Sequence, residues 1–236
     1  MQVAIENSAF IDTPIASSTS NSGKVYVHGK LFSQYKGLAK YSDWGKHLAA
    51  IPGTETYEVT CEAKLTYTGK ALAPKITVTS CDGKTLKKGT GFKVAYKNAK
   101  GATVKASSLK NAGRYKAVIT YKGKTTTKAF TVARASNPMK VKALAKTVKL
   151  NGAKKLAKAK KVGKPFKFAK KASGKVTYSK AKGSSGKLSV NKKTGEVTVA
   201  KGAKAGTYTV KIKITAKGNA NYKSASKTIG AKVHVK

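Results

Sequence analysis

Acid–base chemistry in this chain would have to come from very few side chains. Catalysis by a carboxylate pair needs two acids about 5–10 Å apart, yet beyond Glu62 the sequence holds only Asp82 and Glu196. Each stands beside a glycine, in Asp82-Gly83 and Gly195-Glu196, where solvated turn chemistry accounts for it. The histidines, His28, His47 and His234, fall in separate segments, and none has a cysteine or carboxylate at metal-ligand spacing. No serine sits in a nucleophile-elbow phrase, and no glycine-rich loop has the spacing that cradles phosphate. These residues point away from an enzyme and imply no cofactor and no metal.

The two cysteines, Cys61 and Cys81, are too few for a disulfide scaffold or a metal centre. A hairpin turning near Gly69–Pro74 would bring them close. Strand alternation pulls the other way: Cys61 shares parity with Leu65 and Tyr67, expected to face a core, and Cys81 with Lys75, Thr77 and Thr79, expected to face water. A bulge or turn at Ser80 would reconcile the two, so a Cys61–Cys81 disulfide stays open.

Charge is the other chemical resource. The formal net charge is +42, and residues 135–236 carry 28 lysines against one acid, Glu196. The only arginines are Arg114 and Arg134. Lysine is a hydrated point charge, whereas arginine forks onto phosphates and bases, so this surface suits loose attraction to polyanions better than sequence readout. The densest run, 153–171, makes Lys154, Lys155, Lys158, Lys160, Lys161, Lys170 and Lys171 the candidate polyanion-binding residues. The plainer role for most lysines is to solubilise strand faces and discourage edge pairing.

The elements that must carry these groups read as strands. AGRYKAVITYKG over 112–123 and AGTYTVKIKITAKG over 205–218 repeat one phrase: Ala-Gly-x-Tyr, period-2 alternation, then Lys-Gly. Strands are expected at about 57–67, 75–80, 92–97, 102–107, 114–122 and 125–133. Phe92, Val94 and Tyr96 should share one face, and Tyr115, Ala117, Ile119 and Tyr121 another. Past Asn137-Pro138, residues 139–150 alternate around Val141, Val148 and Leu150, and Phe166 and Phe168 share a strand face. Leu188 and Val190 should meet Val197 and Val199 across the Lys193-Thr194-Gly195 turn, while Tyr208, Val210, Ile212 and Ile214 point inward with Ile229, Ala231, Val233 and Val235. Residues 1–52 differ: a strand at Val25–Val27, a helix over 31–37 presenting Leu31, Tyr35 and Leu38, and a second helix over 42–49 capped by Ser42, with Trp44 and Leu48 at i, i+4.

The repeated phrase resembles the sixth strand of an immunoglobulin-like sandwich. The resemblance implies that Tyr115 and Tyr208 hydrogen-bond back to a corner, and it puts Ala117 and Val210 where such domains place a cysteine. Tyr67, Gly69, Pro74, Gly89, Thr90 and Phe92 match the pattern of small bacterial immunoglobulin-like modules, and 187–199 resembles a hairpin of bacterial cadherin-like sandwiches. The Ile5, Ala9, Phe10 spacing and the phrase running from Val25 to Trp44 resemble the last repeat and cap of BspA-like leucine-rich-repeat surface proteins, with His28 in place of their usual proline. Trp44 is then a structural residue of the cap.

The expected architecture is therefore mainly β: two tandem immunoglobulin-like sandwiches, 53–134 and 135–236, behind a small α/β leucine-rich-repeat cap, 1–52. No stretch of about 18 apolar residues would span a membrane, and residues 1–20 lack a signal-peptide pattern. The resemblance implies the downstream part of a secreted bacterial surface protein with a signal peptide further upstream, monomeric, with a stalk and adhesion role. Its expected partner is an anionic cell-wall polymer, or a host surface glycan or protein. The rival reading is a basic nucleic-acid-binding protein, since 153–175 resembles a lysine-alanine-rich histone-like tail. Against it stand the scarcity of arginine and the lack of a DNA-binding motif.

Overall fold

The computed structural model of the chain describes residues 24–38 and 43–236. The Ile5, Ala9, Phe10 spacing lies outside the described residues, as do Tyr41, Ser42 and the side chain of Trp44. Two compact units form. One comprises the described residues up to Leu65, with Leu72–Leu109 and Arg114–Thr131; the other comprises Thr66–Ala71, Lys110–Gly113 and Val132–Lys236.

In the first unit, β1 (Val25–Val27) pairs in parallel with β2 (Leu48–Ala50). Val25, Val27 and Ala50 bury one small core with Phe32, which opens the helix α1 (Phe32–Leu38). Two expectations are corrected here. The helix turns Phe32 inward, 3% exposed, and leaves Leu31 exposed. The second helix does not form: Asp43–His47 is a 3-10 turn, and Leu48–Ala50 is a strand. The i, i+4 spacing of Trp44 and Leu48 fits a helix locally, but pairing with Val25–Val27 satisfies the same backbone and buries Ala50. Tertiary context overrides so short a helical preference.

The remainder of this unit is antiparallel. β3 (Tyr57–Cys61) pairs with β5 (Ile76–Ser80). A second sheet runs β4–β9–β8–β6–β7, from β4 (Lys64–Thr66), β6 (Phe92–Asn98), β7 (Thr103–Val104), β8 (Gly113–Tyr121) and β9 (Lys124–Ala133). The alternation fixes which residues turn inward. Phe92, Tyr96, Ala117 and Ile119 are buried, while Lys93, Lys97 and Lys116 are exposed. The expected strand over 57–67 is broken at Glu62–Ala63, so that β3 and β4 join different sheets. The expected strand over 102–107 shrinks to Thr103–Val104 and continues as a 3-10 turn.

The second unit is a two-layer β-sandwich. Its larger sheet has the order β11–β18–β17–β14, from β11 (Lys146–Val148), β14 (Val176–Lys180), β17 (Gly206–Ala216) and β18 (Ala225–Val235). Facing it are a ribbon of β10 (Lys140–Ala143) with β13 (Phe166–Lys170), and a sheet β12–β16–β15 from β12 (Lys160–Gly163), β15 (Leu188–Val190) and β16 (Val197–Val199). β12 and β13 are one strand direction interrupted at Lys164-Pro165. Gly163 there has φ +77°, and a proline cannot donate to a ladder. The first strand splits in the same way, β10 pairing antiparallel with β13 and β11 in parallel with β18. Val141, Val148, Leu156, Phe166, Tyr178, Leu188, Val197, Val199, Val210, Ile212, Ile214 and Val233 form one core between the layers. Leu188 opposes Val199, and Val190 opposes Val197, as the turn phrase predicted. Strand order and split first strand together are those of an immunoglobulin-like sandwich.

Asn137 ties the start of this unit together. Its Nδ2 donates to the carbonyls of Ser173 (2.9 Å) and Lys223 (3.2 Å). Its Oδ1 accepts from the amides of Ser173 (3.0 Å) and Met139 (3.3 Å). Pro138 disfavours helical geometry at Asn137, which helps hold the side chain in position.

Candidate functional site

The two repeated tyrosines lie at equivalent strand starts. The Tyr208 hydroxyl donates to the carbonyl of Lys204, four residues upstream, at 2.9 Å. That geometry is the one a sandwich corner bond takes, and it commits the hydroxyl. Tyr115 stacks on Phe130, with centroids 5.6 Å apart and planes at 22°. The two positions where such domains place a cysteine, Ala117 and Val210, are fully buried apolar contacts. Tyr208→Phe should destabilise the second unit by about 1 kcal/mol, because one net hydrogen bond is lost without a cavity. Urea unfolding of the two proteins measures it, and an unchanged midpoint would show that the corner bond contributes nothing.

Cys61 and Cys81 are both free thiols. The disulfide that the sequence leaves open is not formed here, and register is the reason. The strands do pair, but Cys61 lies opposite Ile76, whereas Tyr57 at the other end of β3 lies opposite Ser80, the residue before Cys81. The cysteines therefore sit at opposite ends of a five-residue ladder, roughly 15 Å apart at 3.4 Å per residue, against the 7 Å that a bridge allows. Cys81 instead packs against the Val25–Phe32 core. Burial pushes the Cys61 thiol up, Lys128 opposing this and Glu62 adding to it. A raised thiol is a poor nucleophile at neutral pH. Burial also raises Tyr96, with a smaller contribution from Cys61. Its hydroxyl is enclosed with no hydrogen-bond partner among the described residues.

The carboxylates lie in turns. Burial alone would push Asp82 up, but the Ser80 hydroxyl, the Lys84 amide and the Lys84 ammonium together hold it below its ordinary value. Its Oδ2 sits 3.3 Å from Lys84 Nζ. Glu196 accepts from the Thr194 hydroxyl at 3.1 Å, in the turn between β15 and β16. Neither acid has a carboxylate partner, and no three metal-ligating side chains converge among the described residues. A hollow of about 330 Å³ over Phe130 and Tyr115 has Arg114 and Lys116 at its edge and no acid, cysteine or histidine in its lining.

That leaves the lysines. All seven candidates are exposed, and they are spread over a connection, β12 and the end of β13. Lys154, Lys155 and Lys158 lie in the connection before β12, with Lys155 bridging Lys204. Lys160 and Lys161 sit on β12 opposite Val199 and Thr198. Lys170 ends β13, opposite Lys140, and Lys171 follows it. The run is not an aperiodic tail, since Leu156, Phe166 and the partly buried Val162 and Phe168 anchor it in the core. Sequence density missed Lys140 and Lys142, and the seven candidates left out Lys167 of the run itself; the β10/β13 ribbon brings all three beside Lys170. Their signal was the Lys-Val-Lys and Phe-Lys-Phe alternation, which aims these lysines outward without saying that the two strands pair.

No protein-family model matches the chain, and no curated protein matches it. Among solved structures it is similar to a mouse clustered protocadherin segment, at 13% identity and TM-score 0.38, over 80% of this chain and 70% of that one. A Drosophila N-cadherin segment aligns at 11% identity and TM-score 0.34, over 80% of this chain and 52% of that one. Titin domains align at 13% identity and TM-score 0.37, over 76% and 65%. Scores this low leave the fold to be argued from the strand order itself. No helix among the described residues is long and apolar enough to cross a membrane.

Proposed function

We propose that the chain is a non-catalytic segment of a secreted bacterial surface protein, with a stalk and adhesion role. In this reading 1–52 is the end of a leucine-rich-repeat array, and 53–134 and 135–236 are sandwich modules, acting as a monomer. The lysine surface holds the protein to an anionic cell-wall polymer or a host surface glycan. One observation carries the reading: the strands of the second unit turn their apolar residues inward and their lysines outward, with Glu196 the only acid in 135–236. A scaffold so nearly free of acids forms few internal ion pairs, and its field is therefore available to an external polyanion.

Such attraction is screened by salt. Isolated Gram-positive cell walls stripped of protein should retain the chain at low ionic strength. Retention should then fall steeply between about 50 and 200 mM salt, as it does for polyanion binding generally. Retention that ignores salt, or none at low salt, would refute the charge-based role.

A further inference from the structure

Lysines on the broad sheet of the second unit avoid one another. Across β17 and β18, Lys211 faces Gly230, Lys213 faces Thr228 and Lys232 faces Thr209. Each ammonium thus has a small or neutral partner, which is what a surface designed only for solubility requires. The β10/β13 ribbon does the opposite. Lys142 lies directly across from Lys167; beyond the Val141–Phe168 pair, and past a register shift, Lys140 lies across from Lys170. All four are exposed, while Val141, Phe166 and Phe168 between them turn to the core. Like charges directly opposite in a sheet are destabilising. Single opposed pairs occur elsewhere, Lys97 with Lys116 on β6/β8 and Lys155 with Lys204, but this ribbon carries two, with one apolar pair between them.

Resting on the polyanion reading above, the geometry points to the β10/β13 ribbon as the anchoring site of the second unit for a flexible, linear, phosphate-bearing polymer. Opposed ammoniums on neighbouring strands can both donate to one phosphate, whose several oxygens accept from each. The anion then converts a repulsive pair into a bridged one, and the next pair takes the next phosphate along the chain. The polymer is one without bases. Sites for single-stranded nucleic acid combine charge with exposed aromatic platforms, and here Phe166 and Phe168 are both turned to the core, packed edge-to-face with centroids 5.9 Å apart.

The test uses the whole chain and long-chain inorganic polyphosphate as the probe, with oligo-dT of matched charge as a competitor. Lys142→Gln with Lys167→Gln removes two charges from the ribbon, and Lys213→Gln with Lys232→Gln removes two from the broad sheet. The ribbon variant should lose roughly tenfold or more in affinity, each lysine near an anionic surface contributing on the order of fivefold. The broad-sheet variant should lose no more than about twofold. The ribbon variant should also melt no lower than the parent, because a repulsive pair has been neutralised, which separates lost binding from lost folding. Equal losses from the two variants would overturn the ribbon assignment while leaving the polyanion reading intact. A parent chain that fails to bind polyphosphate at low salt would overturn both. Oligo-dT bound more tightly than polyphosphate would overturn the choice of a base-free polymer.

Discussion

Gly174→Ala should destabilise the second unit by about 3 kcal/mol or more. The glycine has φ +84°, a region that costs an L-residue roughly 1–2 kcal/mol. Space is the larger problem. An added Cβ would fall inside the contact distance of the carbonyl oxygen, carbonyl carbon and amide nitrogen of Gly218, all of them backbone. Gly218 cannot retreat easily, since it is itself at φ +74° and closely approached by the backbone of Tyr222 and Lys223. The neighbouring Lys217 amide also donates to the Lys175 carbonyl at 2.9 Å. Two turns therefore meet backbone to backbone, and relieving the clash means separating them, with the 1–3 kcal/mol typical of overpacking added to the conformational cost. Gly202 is the control. It has a similar φ of +77° but nothing within 4 Å of an added Cβ, so Gly202→Ala should pay the conformational cost alone. Urea unfolding of both variants measures the difference, and a Gly174→Ala midpoint no lower than that of Gly202→Ala would refute the close-approach argument.

Asn137→Ala should cost about 2–3 kcal/mol. The side chain makes two donated and two accepted bonds to Ser173, Lys223 and Met139. At about 1 kcal/mol net per bond, discounted for the more exposed contact to Lys223, the loss falls in this range. Asn137→Asp discriminates the mechanism. It retains both acceptors but sets a carboxylate against the carbonyls of Ser173 and Lys223, so it should recover little of the lost stability. Full recovery would mean that the accepted bonds alone hold the turn. Because Asn137 fixes Ser173, the neighbour of Gly174, the two substitutions act on one turn. The double variant should be less destabilised than the sum of the singles, as thermal or urea unfolding would report.

The alternation of the chain determined much of this by itself. In 208–214 and 229–235 each residue's side of the sheet follows from parity, because successive side chains on a strand point to opposite faces whatever the strand pairs with. The hydrogen bond of Tyr208 to the Lys204 carbonyl is likewise local, four residues back along the chain. Pairing and register were not legible, because they are decided by residues far apart in sequence. Cys61 and Cys81 look bridgeable across a hairpin and lie at opposite ends of the β3/β5 ladder. Leu48 has helical spacing from Trp44 and becomes part of a strand because Val25–Val27 is there to receive it. Lysine density singled out 153–171, which holds Lys167, but Lys142 lies outside that run and is set against it only by the β10/β13 pairing. Local sequence decides which way a side chain points, because that is fixed by bond geometry within the strand. Only the tertiary structure decides what it points beside, because that depends on which distant backbone closes the hydrogen-bond ladder.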